Sequence, residues 1–263
     1  MLDTSELLDG LRIWVEQETP THDAARVTAL VRHVQDRFDA IGARTRRIEG
    51  RDGLGDHLLA ASPWGGDRAP VLILAHLDTV HPVGTIAENP FRIDGDRAYG
   101  PGIYDMKGGA YLAYAAFAGI GAGDTAGLRP LQVLYTADEE VGSPTSRELI
   151  TELGRAAHAV LVVEPARDGG RIVTSRRGVA RYGVRFTGRP AHSGSRHAEG
   201  RSAIREMARQ ILDWEAMTDY ARNLSVNVGI VDGGTAFNVV PEHATAYVDI
   251  RVPTPALAEE AVA

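Results

Sequence analysis

The stretch ILAHLDTVHPVG, residues 73–84, begins as an apolar run and turns polar at His76. Buried runs ordinarily stop at Gly, Asn or Pro in a turn. This one stops at His76-Leu77-Asp78, which sets an imidazole and a carboxylate at a strand's carboxyl end. In open α/β sheets, that end is where ligands bind.

Other apolar runs end in the same way. LQVLYTADEEVGS (131–143) leads into Asp138, Glu139 and Glu140, and AVLVVEP (159–165) ends at Glu164. YGPGIYDMKGG (99–109) places Asp105 at the mouth of a helix, after glycines that permit unusual backbone angles. One acid after a strand is ordinarily a helix cap or a solvated loop residue. Together, His76, Asp78, Asp105, Glu139, Glu140 and Glu164 ask for more. On one edge of a parallel sheet, that many carboxylates repel one another unless cations neutralise them. The chain has no cysteine, which excludes disulfides and thiolate metal sites and leaves any ion to His, Asp and Glu. A histidine with several carboxylates suits zinc, cobalt or manganese, and one shared carboxylate allows two ions about 3.5–4 Å apart. Adjacent residues at a strand end point to opposite sides. Of Glu139 and Glu140, therefore, one can ligate an ion while the other carries a proton, the division that metal-assisted hydrolysis needs.

The surrounding pattern is α/β. THDAARVTALVRHVQDRFDAIG (21–42) carries Val27, Leu30, Val31, Val34, Phe38 and Ile41 on one helical face, with Thr21 as the expected cap and Gly42 as the stop. Strands are expected at HLLAA, PVLILA, LQVLYTA and AVLVVE, with helices at GGAYLAYAAFAGIG and SPTSRELITELG. This alternation implies a mixed, mostly parallel sheet covered by helices. Near Arg177 the pattern changes to a long alternating strand, a long amphipathic helix, two more strands and the start of another helix. That order is a ferredoxin-like α+β layer without its last strand. The expected domains are a catalytic one over 1–176 and a second, incomplete one over 177–263.

At 263 residues, 44% hydrophobic and 24% charged, the composition is that of a globular protein. A formal charge of −7 argues against nucleic acid as a partner. The first twenty residues lack the basic start and apolar centre of a signal peptide, and no apolar run is long enough to span a bilayer, so a cytoplasmic location is expected and no membrane partner.

HLDTV, YGPGIYDMKGG, TADEEVGS and VVEP, in this order and spacing, resemble the M20 family of dinuclear zinc peptidases and deacylases, most of all its glutamate carboxypeptidase branch. The resemblance implies a zinc-exopeptidase-like sheet with an inserted lid, or dimerisation, domain. It implies two Zn2+, with Co2+ or Mn2+ as possible substitutes. His76 and Glu164 would bind one ion, Glu140 the other, and Asp105 would bridge them. Asp78 would orient His76, and Glu139 would be the general base that deprotonates water and then protonates the leaving amine. Family members carry a cis peptide after the bridging aspartate, here Asp105-Met106. GRPAHSG matches the lid stretch whose histidine, here His192, reaches a partner subunit's site and stabilises the oxyanion, which implies a homodimer through the lid. GGTAFNVVPEHATAYVDIR matches the stretch whose asparagine, here Asn238, contacts substrate. Arg251 reads equally as a substrate-binding residue or a solvated strand-end arginine. The family's sixth ligand is a histidine in the last part of the catalytic domain, and none of the nine histidines here lies beyond His243. The chain is therefore expected to lack the closing segment and, alone, to bind metal weakly and turn over little.

The implied reaction is cleavage of an amide next to a free carboxylate in a small peptide or N-acyl amino acid, as in C-terminal glutamate release. N-acyl amino acid deacylation, of the acetylornithine or succinyl-diaminopimelate type, and aminopeptidase action share the same metal residues and stay open. So does a non-catalytic dimerisation or binding fragment. Magnesium-dependent phosphoryl transfer fits poorly, since no glycine-rich phosphate loop is present and His76 would go unexplained. His22, His33, His57, His158 and His197 show no ligand spacing and read as structural or surface residues. His81 reads as a pocket-rim residue, and Arg176-Arg177 as a hinge-packing or solvated pair sooner than as a site for a substrate carboxylate.

Overall fold

A computed structural model describes residues 3–167 and 169–262. The chain divides into two compact units, Met1–Gly169 and Gly170–Ala263, a few residues ahead of the change in sequence pattern at 176/177.

In the first unit α1 (Thr4–Glu16) and α2 (Ala24–Ala40) precede β1 (Arg44–Ile48), β2 (His57–Ala61) and β3 (Val71–His76). A short α3 (Thr85–Glu88) and the hairpin β4 (Arg92–Asp94) and β5 (Arg97–Tyr99) lead to an irregular turn at Ile103–Lys107. Then come α4 (Gly108–Gly121), β6 (Leu131–Thr136), α5 (Arg147–Ala156) and β7 (Ala159–Val162). The sheet order is β1-β2-β6-β3-β7. β3 runs parallel to both β6 and β7, while β2 is antiparallel to β6 and to β1. The carboxyl ends of β3, β6 and β7 therefore share one edge, which is what brings His76, the Asp138–Glu140 turn and Glu164 into one neighbourhood.

Helices cover both faces of this sheet. On one face Trp14, Leu30, Val34, Phe38 and Phe117 of α1, α2 and α4 pack with Leu58, Ile73 and Val133. Trp14 meets Tyr111 edge-on at 5.1 Å between ring centroids, and Phe38 meets Phe117 at 5.0 Å. On the other face Leu149, Ile150 and Leu153 of α5 cover Leu59, Leu72 and Leu134. Fully burying one such side chain contributes about 1.5–3 kcal/mol, so these two layers fix the sheet edge as a rigid platform. The polar strand β1, RTRRI, occupies the far edge, where charged side chains discourage further pairing.

The cap of α2 differs from expectation. Asp23, not Thr21, accepts the N–H of Arg26, and the Thr21 hydroxyl is drawn instead to Asp78, a buried acceptor far along the chain.

The second unit contains β8 (Gly178–Thr187), α6 (Ala203–Ala216), β9 (Ser225–Gly233), β10 (His243–Val252) and α7 (Pro255–Val262). Its antiparallel sheet has the order β8-β10-β9, with β10 in the middle. Ala203 and Met207 of α6 bury against Ala244 and Ala246, and Leu257 and Ala261 of α7 against Val226, Val248 and Ile250. This is the strand-helix-strand-strand-helix layer of a ferredoxin-like unit. No helix among the described residues is long and apolar enough to cross a membrane.

Candidate metal centre

His76 closes β3 with its side chain 1% exposed. Around its Nε2 stand Asp105 Oδ1 at 3.2 Å, Glu164 Oε1 at 3.5 Å and Glu139 Oε2 at 3.8 Å. His76, Asp105 and Glu164 each offer a ligand atom, and these three atoms lie within 4.8 Å of one another. Asp105 reaches this place from the irregular turn before α4, and the Asp105-Met106 peptide is cis. Two glycines permit the approach. Gly102 has φ +69°, and a Cβ there would meet Thr79 Cγ2 at 2.6 Å. Gly109 lies so close to the Val163 carbonyl that any side chain would collide with the strand end that carries Glu164.

Two buried aspartates set the frame behind this cluster. Asp78 accepts the Thr21 hydroxyl at 2.8 Å, the Glu139 N–H at 3.3 Å and the Glu140 N–H at 3.2 Å. It thereby ties the entry of α2 to the turn that bears both glutamates. The nearest partner of His76 Nδ1 is the Asp78 carbonyl at 2.9 Å, with the Asp78 carboxylate at 3.4 Å. Asp78 thus meets the imidazole through its backbone carbonyl and its carboxylate, and the same carboxylate holds the glutamate turn. Asp138 accepts the N–H and hydroxyl of both Thr145 and Ser146, at 2.6–3.0 Å. Burial opposes its charge, but those hydrogen bonds outweigh burial and hold its pKa below the ordinary aspartate value.

The outer acids are less satisfied. Asp105 and Glu139 have side chains 59% and 48% exposed. Burial raises the pKa of Glu139, the charge of His76 opposes that rise, and Glu164, Asp78 and Asp105 add to it. Glu140 is raised by burial and then by Asp105, the acid that weighs most on it. Burial disfavours a charged His76, yet the hydrogen bonds it donates to the Asp78 and Glu164 carboxylates and the fields of Asp78 and Glu139 prevail and raise its pKa to about 11. Lys107, the one lysine of the chain, gives no relief. It is buried, its pKa is lowered by burial to about 7, and its Nζ donates to the Gln17 carbonyl at 2.5 Å. The cluster therefore holds more negative charge than its own cations balance. One imidazole and two carboxylates converging to ligand distance suit a zinc-like ion, so the residues fit the group.

The second unit positions His192 and Asn238 together. His192 bridges to Val239, Ser193 N–H donates to the Asn238 carbonyl at 2.9 Å, and both side chains are exposed. His192 Nδ1 accepts the N–H groups of Gly194 and Ser195 at 3.1 and 3.2 Å. A ring nitrogen that accepts carries no proton, so Nε2 is the donor. Arg251 turns to its own strand, with Nε donating to Asp249 Oδ2 at 2.6 Å.

The sequence reading missed Thr21, Thr145 and Ser146 as supports of the site. The Ser/Thr run after Gly142 carried a weak signal, being the residue types that bond local backbone.

Comparison with known proteins places the chain in a family. Residues 174–263 match the family described as "Peptidase dimerisation domain", the M20 type. The chain is 32% identical over 240 residues to carboxypeptidase G2 of Pseudomonas sp. (strain RS-16), covering 90% of this chain and 57% of that protein. It is 33% identical over 231 residues to acetylornithine deacetylase of Myxococcus xanthus, covering 81% of this chain and 58% of the relative. A tripeptidase structure from Staphylococcus aureus superposes with a TM-score of 0.82 at 21% identity, covering all of this chain and 70% of the other. An M20 family metallo-carboxypeptidase from Sulfolobus solfataricus gives a TM-score of 0.73 at 16% identity, covering 99% and 74%. The fold is thus that of the metallopeptidases, and the chain belongs to the M20 family. It spans somewhat over half the length of the two relatives named.

Proposed function

We propose that this chain carries most of the active centre of a zinc-dependent hydrolase that cleaves an amide bond next to a free carboxylate, in the manner of a carboxypeptidase. The observation that carries this reading is the convergence of His76, Asp105 and Glu164 to within 4.8 Å, with Glu139 beside them. His76, Glu164 and Asp105 would hold one ion, and Glu140 would be the residue to hold a second. When bound, the ions polarise the scissile carbonyl and make water acidic enough to be deprotonated at neutral pH. Glu139 takes the proton from the attacking water and delivers it to the leaving nitrogen. Its carboxylate is free for that task, since none of the hydrogen bonds among the described residues claims it. Asp78 holds the Glu139 and Glu140 backbone, which keeps the carrier and the ligand apart. His192, with its proton on Nε2, donates to the developing oxyanion across a homodimer formed through the second unit, and Asn238 orients the substrate. For Arg251 we propose an electrostatic part at most, because Asp249 already occupies its guanidinium.

The deacylase reading has its own support in the 33% identity to acetylornithine deacetylase. Rates of hydrolysis of an N-acyl glutamate and of N-acetylornithine separate the two, and the glutamate is expected to be the faster. Glu139→Gln is expected to cut turnover by about 100-fold or more, the scale of general acid–base catalysis, with divalent ions still bound. Turnover at the original rate would remove Glu139 from the mechanism.

A further inference from the structure

His57 opens β2 directly behind the glutamate turn and is 2% exposed. Both ring nitrogens are engaged. Nδ1 faces the Ala137 N–H at 3.2 Å, and Nε2 faces Thr145 Oγ1 at 3.1 Å. A backbone N–H can only donate, so Nδ1 accepts and the proton of the neutral ring sits on Nε2. Nε2–H then donates to the Thr145 hydroxyl, and that hydroxyl donates to Asp138 Oδ2 at 2.7 Å. The bonds run in one direction, from imidazole to hydroxyl to carboxylate. They clasp the turn at its first residue, Ala137, and near its last, Thr145. Glu139 and Glu140 lie between these two points. The other tautomer would set N–H against N–H at Ala137, and so would the imidazolium. Only one state of the ring fits.

We propose that His57 is a positioning residue: in its neutral, Nε2-protonated form it locks the 137–146 turn and so aims the Glu139 and Glu140 carboxylates, and protonation of the ring releases the lock. The part concerning aim rests on the hydrolytic reading above, whereas the lock itself does not. The groups facing His57 are Asp138, Asp56 and Asp78, which favour the charged ring, and Arg51, which opposes it. Burial is the largest influence and prevails, so the pKa lies below the ordinary histidine value of 6.5. The sign follows from that depression. The unfolded or unlocked ring takes up its proton first, so the lock is complete above about pH 6.5 and weakens as pH falls below it.

Amide hydrogen exchange across the full chain tests this, together with zinc titration and the ring 15N shifts of His57. In the wild type, exchange over 137–146, corrected for its intrinsic pH dependence, rises as pH is lowered past about 6.5, while α2 and β3 keep their protection. His57→Asn keeps an acceptor for Ala137 but cannot reach Thr145 or be protonated. It is expected to speed exchange in the turn about 3- to 10-fold, the scale of one lost hydrogen bond, and to abolish the acid response. Zinc affinity is expected to weaken by a similar factor. If His57→Asn fails to fold, Thr145→Val breaks the same relay and should loosen the same turn. Unchanged exchange over 137–146 in the variant, or a wild type with no acid response, overturns the proposal. So does a loosened turn with zinc affinity unchanged. A wild type that shows the lock and binds zinc but hydrolyses no amide instead refutes the hydrolytic reading.

Discussion

The carboxyl edge of the first unit's sheet and the His192–Asn238 corner of the second unit are built on opposite plans. At the sheet edge the acids stand in two layers. Asp78 and Asp138 are buried and bonded to Thr21, Thr145, Ser146 and the glutamate backbone, while Asp105 and Glu139 stand half-exposed, with His76 as their neighbour. At the corner both side chains are exposed, and backbone bonds around them, with two N–H groups on the His192 ring, hold them in place. The first arrangement assembles a charged cluster and holds it against its own repulsion. The second presents a fixed tautomer outward, ready for something that is brought to it. Preorganisation thus has two forms in this chain, one enforced by burial and one by local backbone geometry.

Substitutions that separate folding from chemistry sharpen this contrast. The largest effect is expected at the anchors. Asp138→Ala strands four donors around a buried position, and stability measured by urea unfolding should fall by about 3–5 kcal/mol, the cost of removing one partner of a buried charged network. The corresponding change at the corner, His192→Ala, should leave unfolding within about 0.5 kcal/mol of the wild type, because the side chain is exposed. If His192 donates to the oxyanion as proposed, kcat should instead fall by about 100- to 1000-fold, as when an oxyanion donor is removed. A stability loss at His192 equal to that at Asp138 would erase the distinction between the two plans. The smallest effect is expected on β10. Arg251, and to a lesser degree Arg181, hold the Asp249 pKa below its ordinary 3.8 against the opposing effect of burial. Their stabilisation is present above that value and is lost as pH falls through the depressed one. Asp249→Asn should therefore cost less than about 1 kcal/mol near neutrality, as solvent-screened pairs do, and should flatten the acid limb of unfolding below about pH 4.

What the sequence disclosed follows the same division. His76, Asp105 and Glu164 were legible because each interrupts an apolar or glycine-rich run at a point where a parallel sheet turns over to its ligand edge. The long strands of the second unit were legible through strict alternation, and His243–Val252 falls where the pattern placed it. β1 was not, since RTRRI has no apolar period and exists as a strand only because β2 pairs with it. Nor was α1, whose TSELLDGLRIWVE lies within the stretch compared above with a signal peptide. The anchors stayed hidden for a different reason. Thr21 meets Asp78 across 57 positions and His57 meets Thr145 across 88, and contacts made by tertiary folding leave no local periodicity to detect. Thr21 even carried a false signal, since a threonine ahead of a helix is read as its cap.

On the function proposed, the acids of one sheet edge gather with His76 to hold an ion. Crystals of the protein grown with zinc, with anomalous scattering recorded at the zinc absorption edge, test it most directly. The account predicts an anomalous peak bounded by His76 Nε2 and the Asp105 and Glu164 carboxylates, at about 2.0–2.2 Å from each. Zinc found only elsewhere on the molecule, with no peak among those three side chains, would contradict it.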